Sequence, residues 1–145
     1  MIVLRGFGCR VLEAAMRSQQ HQQQGAFVAR SVFPCTAEAV RPARDWAASV
    51  LRQAGGGTEL QAETCALLVS ELATNAVLHA EGERFEVTVW PECTIDVRDG
   101  SRKEPESRFP GDGEEGGRGL LLVTLLAQKY EVILTDDGKI SRFRL

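Results

Sequence analysis

The sequence predicts an α+β domain in which two layers of secondary structure share one core. Three observations carry that prediction. The order of patterned segments along the chain reads β-α-α-β-β-α-β-β. The stretch CALLVSELATNAVLHA at 65–80 is apolar on nearly every side, which in a soluble chain marks a buried helix. Two pairs of short β-type runs are separated by turn residues, at Pro91-Glu92 and at Asp136-Asp137-Gly138, and read as hairpins. With 145 residues, 43% hydrophobic and 26% charged, the chain is long enough for one domain around one core.

Composition also narrows the function. A net charge of -3 offers no broad electrostatic footprint for direct nucleic-acid binding or for an anionic membrane. No apolar run approaches the roughly 20 residues of a membrane span. The beginning, MIVLRGFGCRVLEAAMRS, is a poor secretory signal, because Arg5, Gly6 and Arg10 break its short apolar part. The four cysteines, Cys9, Cys35, Cys65 and Cys93, form no CxxC pair. They read as reduced thiols of a cytoplasmic protein without a zinc site.

Residues 1–24 are set apart by the glutamine tract around His21 and read as an N-terminal extension, either disordered or an extended helix. The domain proper is expected over 25–145. AFVARSVFP suggests an edge strand stopped by Pro34. Thr36 is placed to cap a helix from about Ala37 to Ala54, with Glu38 in its first turn. Pro42 removes a backbone donor in the second turn, which moves the expected regular start toward Val40. Val40, Ala43, Ala47, Val50 and Leu51 form the apolar face of this helix, with Trp46 at one edge, and three glycines at 55–57 end it. Thr58 begins the next helix, and Gln61, three residues on, is spaced to close a capping box.

Gly82 stops that helix. FEVTVW and TIDVRD follow as a hairpin, the second strand delivering Asp99 and Gly100 at its end. Residues 101–115 mix charge with Pro105, Pro110, Gly111 and Gly113 and show no periodicity, so they read as a lid or binding loop, or else as a plain disordered excursion. GGRGLLLVTLLAQ starts a helix at Gly117-Arg118-Gly119, where free backbone amides and the helix dipole favour an anion. As a generic glycine turn it is weak evidence, since neither the preceding strand nor the Gly-Lys-Ser/Thr ending of a phosphate loop is present. Leu120, Leu121, Val123, Leu125 and Leu126 are expected to be mostly core. YEVILT and KISRFRL close the chain.

The long apolar helix carries Glu71, Asn75 and His79. Steps of four advance about 40° beyond a full turn, so the three lie along one stripe. A carboxylate, an amide and an imidazole in a greasy helix are costly unless partnered. Backbone groups or water are one way to satisfy them; a bound ligand is the other.

The order of motifs favours the second. E-L-x-x-N-A-x-x-H on a helix, a hairpin ending in D-G, a long lid and G-R-G-L-x-L-V together resemble the GHKL ATPase superfamily, which includes gyrase B, histidine kinases and the anti-sigma-factor serine kinases. Within it the chain is most similar to the anti-sigma serine kinases and the small stand-alone regulatory ATPases of actinomycetes, over roughly residues 30–145. VSELATNAVLHA resembles the N box, VRDGS the adenine-binding Asp-x-Gly region and GGRGLLLV the second glycine motif. The resemblance implies the Bergerat ATP-binding fold, with helices on one face of a mixed, mostly antiparallel sheet. It implies ATP and Mg²⁺ as cofactors. Asn75 would ligate the metal, Glu71 would act as general base, and Asp99 would accept from the adenine amine with Gly100 allowing close approach of the base. Gly117, Arg118, Gly119 and Leu120 would form the phosphate turn, Arg118 facing the γ-phosphate with Arg102, Lys103 and Arg108 as alternatives. His79 would contact phosphate or lid, or be structural.

Departures from the family pattern are visible. Ser101 stands where a glycine is wanted, and Lys129-Tyr130 replaces a frequent tryptophan. The resemblance implies an anti-sigma factor with serine/threonine kinase activity on a STAS-type anti-anti-sigma partner, and relatives suggest a homodimer. The alternative is a non-catalytic module in which bound ATP orders the lid for a protein partner. A histidine-kinase fragment is disfavoured because His21 lies in a glutamine tract, and a clamp ATPase because no transducer domain is recognised.

Overall fold

Alternation along five short segments leaves each with one face to bury, and the five pair into a single sheet. A computed structural model of the protein describes residues 26–79, 81–102 and 118–145, with the backbone alone for 118–120. Strands β1 (Ala29–Pro34), β2 (Arg84–Trp90), β3 (Thr94–Asp99), β4 (Lys129–Thr135) and β5 (Gly138–Arg144) lie in the order β1-β2-β3-β5-β4. Helices α1 (Ala37–Ala54), α2 (Glu59–His79) and α3 (Arg118–Leu126) complete the expected α+β sandwich. All pairings among the described strands are antiparallel. β1 is an edge strand, as its terminal proline implies.

The two faces of the sheet differ in kind. On one, Phe33, Phe85, Val87, Val89, Ile95, Val97 and Phe143 share a core with Ala43, Ala47 and Leu51 of α1 and Leu68, Val69 and Leu72 of α2. On the other, Arg30, Thr88, Asp96, Arg142 and Glu131 are successive partners across β1, β2, β3, β5 and β4. Asp96 is 5% exposed and accepts hydrogen bonds from Arg142 Nε at 2.7 Å, Arg142 Nη2 at 2.8 Å and Trp90 Nε1 at 2.7 Å. Arg30 Nε donates to Thr88 Oγ1 at 3.2 Å. The polar row ties the strands together on the side that the helices leave uncovered. No helix among the described residues is long and apolar enough to cross a membrane.

The helix ends agree with the sequence in part. Thr58 and Gln61 form the expected capping box: the Thr58 amide donates to Gln61 Oε1 at 2.8 Å, and the Gln61 amide donates to Thr58 Oγ1 at 3.2 Å. Thr36 precedes α1 in an extended conformation but makes no side-chain cap. α1 begins at Ala37 rather than nearer Val40, and Pro42 lies inside it. The carbonyl of Glu38 loses its helical donor there, and that residue is exposed, so water can replace the bond. α1 ends at Gly55 with φ 66°.

α3 corrects a sequence expectation. Val123 is fully buried, but Leu121, Leu125 and Leu126 are 43%, 69% and 45% exposed. A nine-residue helix packed along one stripe cannot bury leucines on every side.

Gly138 opens β5 at a point of close backbone approach. A Cβ there would lie 2.0 Å from the carbonyl oxygen of Asp99. The pairing of Asp99 with Lys139 therefore requires a glycine next to it. Gly138→Ala is expected to lower the unfolding free energy by about 3 kcal/mol or more in urea titration, through forced overpacking. Thr58→Ala, which removes one half of the capping box, should lower it by about 1 kcal/mol in the same assay.

Candidate functional site

α2 packs against α1, α3 and β3, and its sequence follows from that. Ala62, Cys65, Leu68, Val69, Leu72, Ala73 and Ala76 are buried on those sides. The remaining side carries Glu71 and Asn75, both half-buried, and His79, which is exposed. Leu67 and Leu78 share this side, 41% and 68% exposed. The polar stripe thus lies along the one open side of the helix, which relieves the burial penalty that its apolar sequence implies. Among the described residues, the side chains of Glu71 and Asn75 have no hydrogen-bond partner.

β3 brings Asp99 to the end of the sheet beside the last turn of α2. Asp99 is 6% exposed. Its Oδ1 accepts the Ser101 backbone N–H at 2.7 Å, and its Oδ2 lies 3.8 Å from Lys139 Nζ. Burial pushes the Asp99 carboxyl above its ordinary range, opposed by the Ser101 amide, by Lys139 and by the more distant His79. His79 and Asp99 are therefore within electrostatic reach. Gly100 lies against the residue beyond α2, since a Cβ on it would meet the Gly82 nitrogen at 3.3 Å. The close approach that Gly100 makes within the fold is to that backbone.

Arg102 donates to the carbonyl of Asp136 and is held at the β4–β5 turn. Together with Leu134, Thr135, Asp136 and Gly138 it lines a cavity of about 280 Å³ at the same end of the sheet. Arg118, Gly119 and Leu120 form the first turn of α3, a helix that packs against α2 and β4. Gly117, Lys103 and Arg108 lie outside the described residues, as do Cys9 and His21.

Two participants were not read from the sequence in these roles. Ser101, a departure from the family pattern, turns its amide back onto Asp99 and orients the carboxylate. Lys139 is 5% exposed and pairs with Asp99. A period-two signal for Lys139 was present: positions 139, 141 and 143 alternate onto one face, and Phe143 declares that face to be the core. The other thiols and acids add no metal centre among the described residues, and Cys35, Cys65 and Cys93 are free. Burial pushes the Cys65 thiol up to about 12, so it is unreactive in the folded chain.

The raised Asp99 carboxyl has a sign that can be tested. The folded chain keeps a proton on Asp99 at pH values where the unfolded chain has lost it. Fewer protons on the unfolded state mean that stability falls as pH rises, beginning near the ordinary carboxylate value of about 4 and ending above the raised folded value. In urea titrations from pH 4 to 7, wild type should lose stability relative to Asp99→Asn as pH rises through this window. A difference that stays flat, or grows in favour of wild type, contradicts the assignment.

Residues 33–145 match the histidine kinase-like ATPase domain family, a span that takes in every element from the end of β1 onward. No curated protein matches the chain. The matched span covers well over half the sequence and the fold is the one the family requires: this chain belongs to the histidine kinase-like ATPase domain family.

Proposed function

We propose that the protein is an ATP-dependent regulator of the anti-sigma type, a protein serine/threonine kinase acting on a small STAS-type anti-anti-sigma partner. Family membership supplies the coarser half of this reading, an ATP-binding domain. The observation that carries the finer half is the pair Glu71 and Asn75, half-buried one helical turn apart on the open side of α2, without a side-chain partner among the described residues.

The pair suits phosphoryl transfer from ATP. Mg²⁺ keeps most of its waters and takes one or two protein oxygens beside phosphate. Asn75 offers a single neutral oxygen, and the bound cation would offset phosphate charge. Glu71, one turn earlier, can accept the proton of an attacking serine hydroxyl as that oxygen bonds to the γ-phosphorus and ADP departs. Asp99 would accept from the adenine amine, which selects against a guanine carbonyl at that place. Arg118 and Gly119 open α3, where backbone amides and the dipole favour phosphate. The exposed leucines of α3 support a protein rather than a small molecule as the acceptor.

Incubation with Mg-ATP and the candidate partner should give phosphoserine or phosphothreonine on the partner. Glu71→Ala is expected to slow transfer by roughly 100-fold or more while leaving ATP binding nearly intact. Asn75→Ala should weaken both ATP binding and transfer. Transfer that survives Glu71→Ala, or that occurs with no candidate partner, overturns the kinase reading.

A further inference from the structure

The row of residues at the end of the sheet holds a buried charged pair on an otherwise apolar or small-residue face. Asp99, Lys139 and Leu134 are successive partners across β3, β5 and β4, on the face that the helices cover. The next rows inward on that face pair Val97 with Ser141 and Ile95 with Phe143, apolar or small throughout. An ammonium group whose side chain is 7% exposed is expensive to keep there. Buried ion pairs seldom repay their desolvation when apolar residues of similar size would fit. A ligand that uses both charges would account for the pair.

The disposition of the two groups says what such a ligand must present. Asp99 Oδ1 accepts from the Ser101 amide, while Oδ2 faces Lys139 Nζ at 3.8 Å, so a base that meets Oδ2 also meets the ammonium. An ionised carboxylate has lone pairs beyond those engaged here, and an ammonium has three donors to distribute. The site thus presents an acceptor next to a donor. Adenine presents the complement along one edge: the exocyclic amine is a donor, and the adjacent ring nitrogen N1 is an acceptor. Guanine presents the reverse, a carbonyl followed by N1–H, and would oppose both groups. The cavity lined by Arg102, Leu134, Thr135, Asp136 and Gly138 lies at the same end of the sheet and shares Leu134 with this row, though Asp99 and Lys139 are not part of its lining.

We propose that Lys139 is a second base-reading residue, donating a hydrogen bond to adenine N1 while Asp99 accepts from the exocyclic amine. The assignment rests on the reading that the nucleotide base lies against Asp99. It adds a charged donor that sharpens selection of adenine over guanine beyond what the carboxylate achieves alone.

The test compares nucleotides differing by one ring atom, by calorimetric titration of the full chain. 7-deaza-ATP keeps both N1 and the amine and should bind like ATP. 1-deaza-ATP replaces N1 with a carbon and should bind wild type about 10- to 100-fold more weakly, the range for losing a hydrogen bond to a charged group. In Lys139→Met that gap should close, ATP itself having weakened. If wild type binds 1-deaza-ATP as well as ATP, the proposal is overturned without any variant being needed. A gap that persists undiminished in Lys139→Met overturns it as well. Asp99→Ala separates the two layers of inference. If it weakens ATP while N1 makes no difference, only the role of Lys139 falls. If it leaves ATP affinity unchanged, the base lies elsewhere and both readings fall.

Discussion

The packing of α2 on three sides is the constraint from which the rest of the structure follows. A helix enclosed by α1, α3 and β3 must be apolar over most of its circumference. It has one side left, and Glu71, Asn75 and His79 lie along it. The candidate site residues and the core are thereby set on one rigid element, separated by rotation about its axis. A slip of one residue in its phase would turn the stripe by about 100° into the core. The capping box at Thr58 and Gln61 defines where the helix starts, and Gly82 lies just beyond its last turn.

The sheet solves a matching problem. Its inner face is a hydrophobic layer, and its outer face carries a hydrogen-bonded polar row. The row from Arg30 to Glu131 makes the outer face selective, because only one register sets Asp96 between Trp90 and Arg142. The same register carries Asp99 opposite Lys139 on the inner face. Strand alignment secured by charge on the solvent side therefore positions charge on the helix side. Gly138 adds a steric limit, since the Asp99 carbonyl tolerates no side chain at that position.

Much of this was legible in the residues. Period-two runs bounded by turn residues announced both hairpins, and Thr58 with Gln61 announced the start of α2. The α2 stripe was legible from spacing alone, because a helix of known period has only one geometry to offer. What was not legible depends on neighbours distant in sequence. Whether the leucines of α3 are covered depends on what packs beside them, and among the described residues of the helix only Val123 proves to be fully enclosed. The alternation of KISRFRL places Lys139 on the core face, but its partner Asp99 emerges only from the pairing of β3 with β5, across 40 residues that no local pattern encodes. Pro42 argued for a later helix start, yet packing of Ala39 and Ala43 holds the first turn in place.

Among the described residues α3 is the least anchored helix, and it opens with the glycine-containing turn. Nine residues are too few to hold a helix in water without tertiary support, and one fully enclosed valine is a narrow foothold. Local melting starts where few contacts must be broken. A nucleotide that grips the first turn of α3 would therefore do two things at once, binding there and winding the helix tight. Part of its intrinsic affinity would then be consumed in ordering protein.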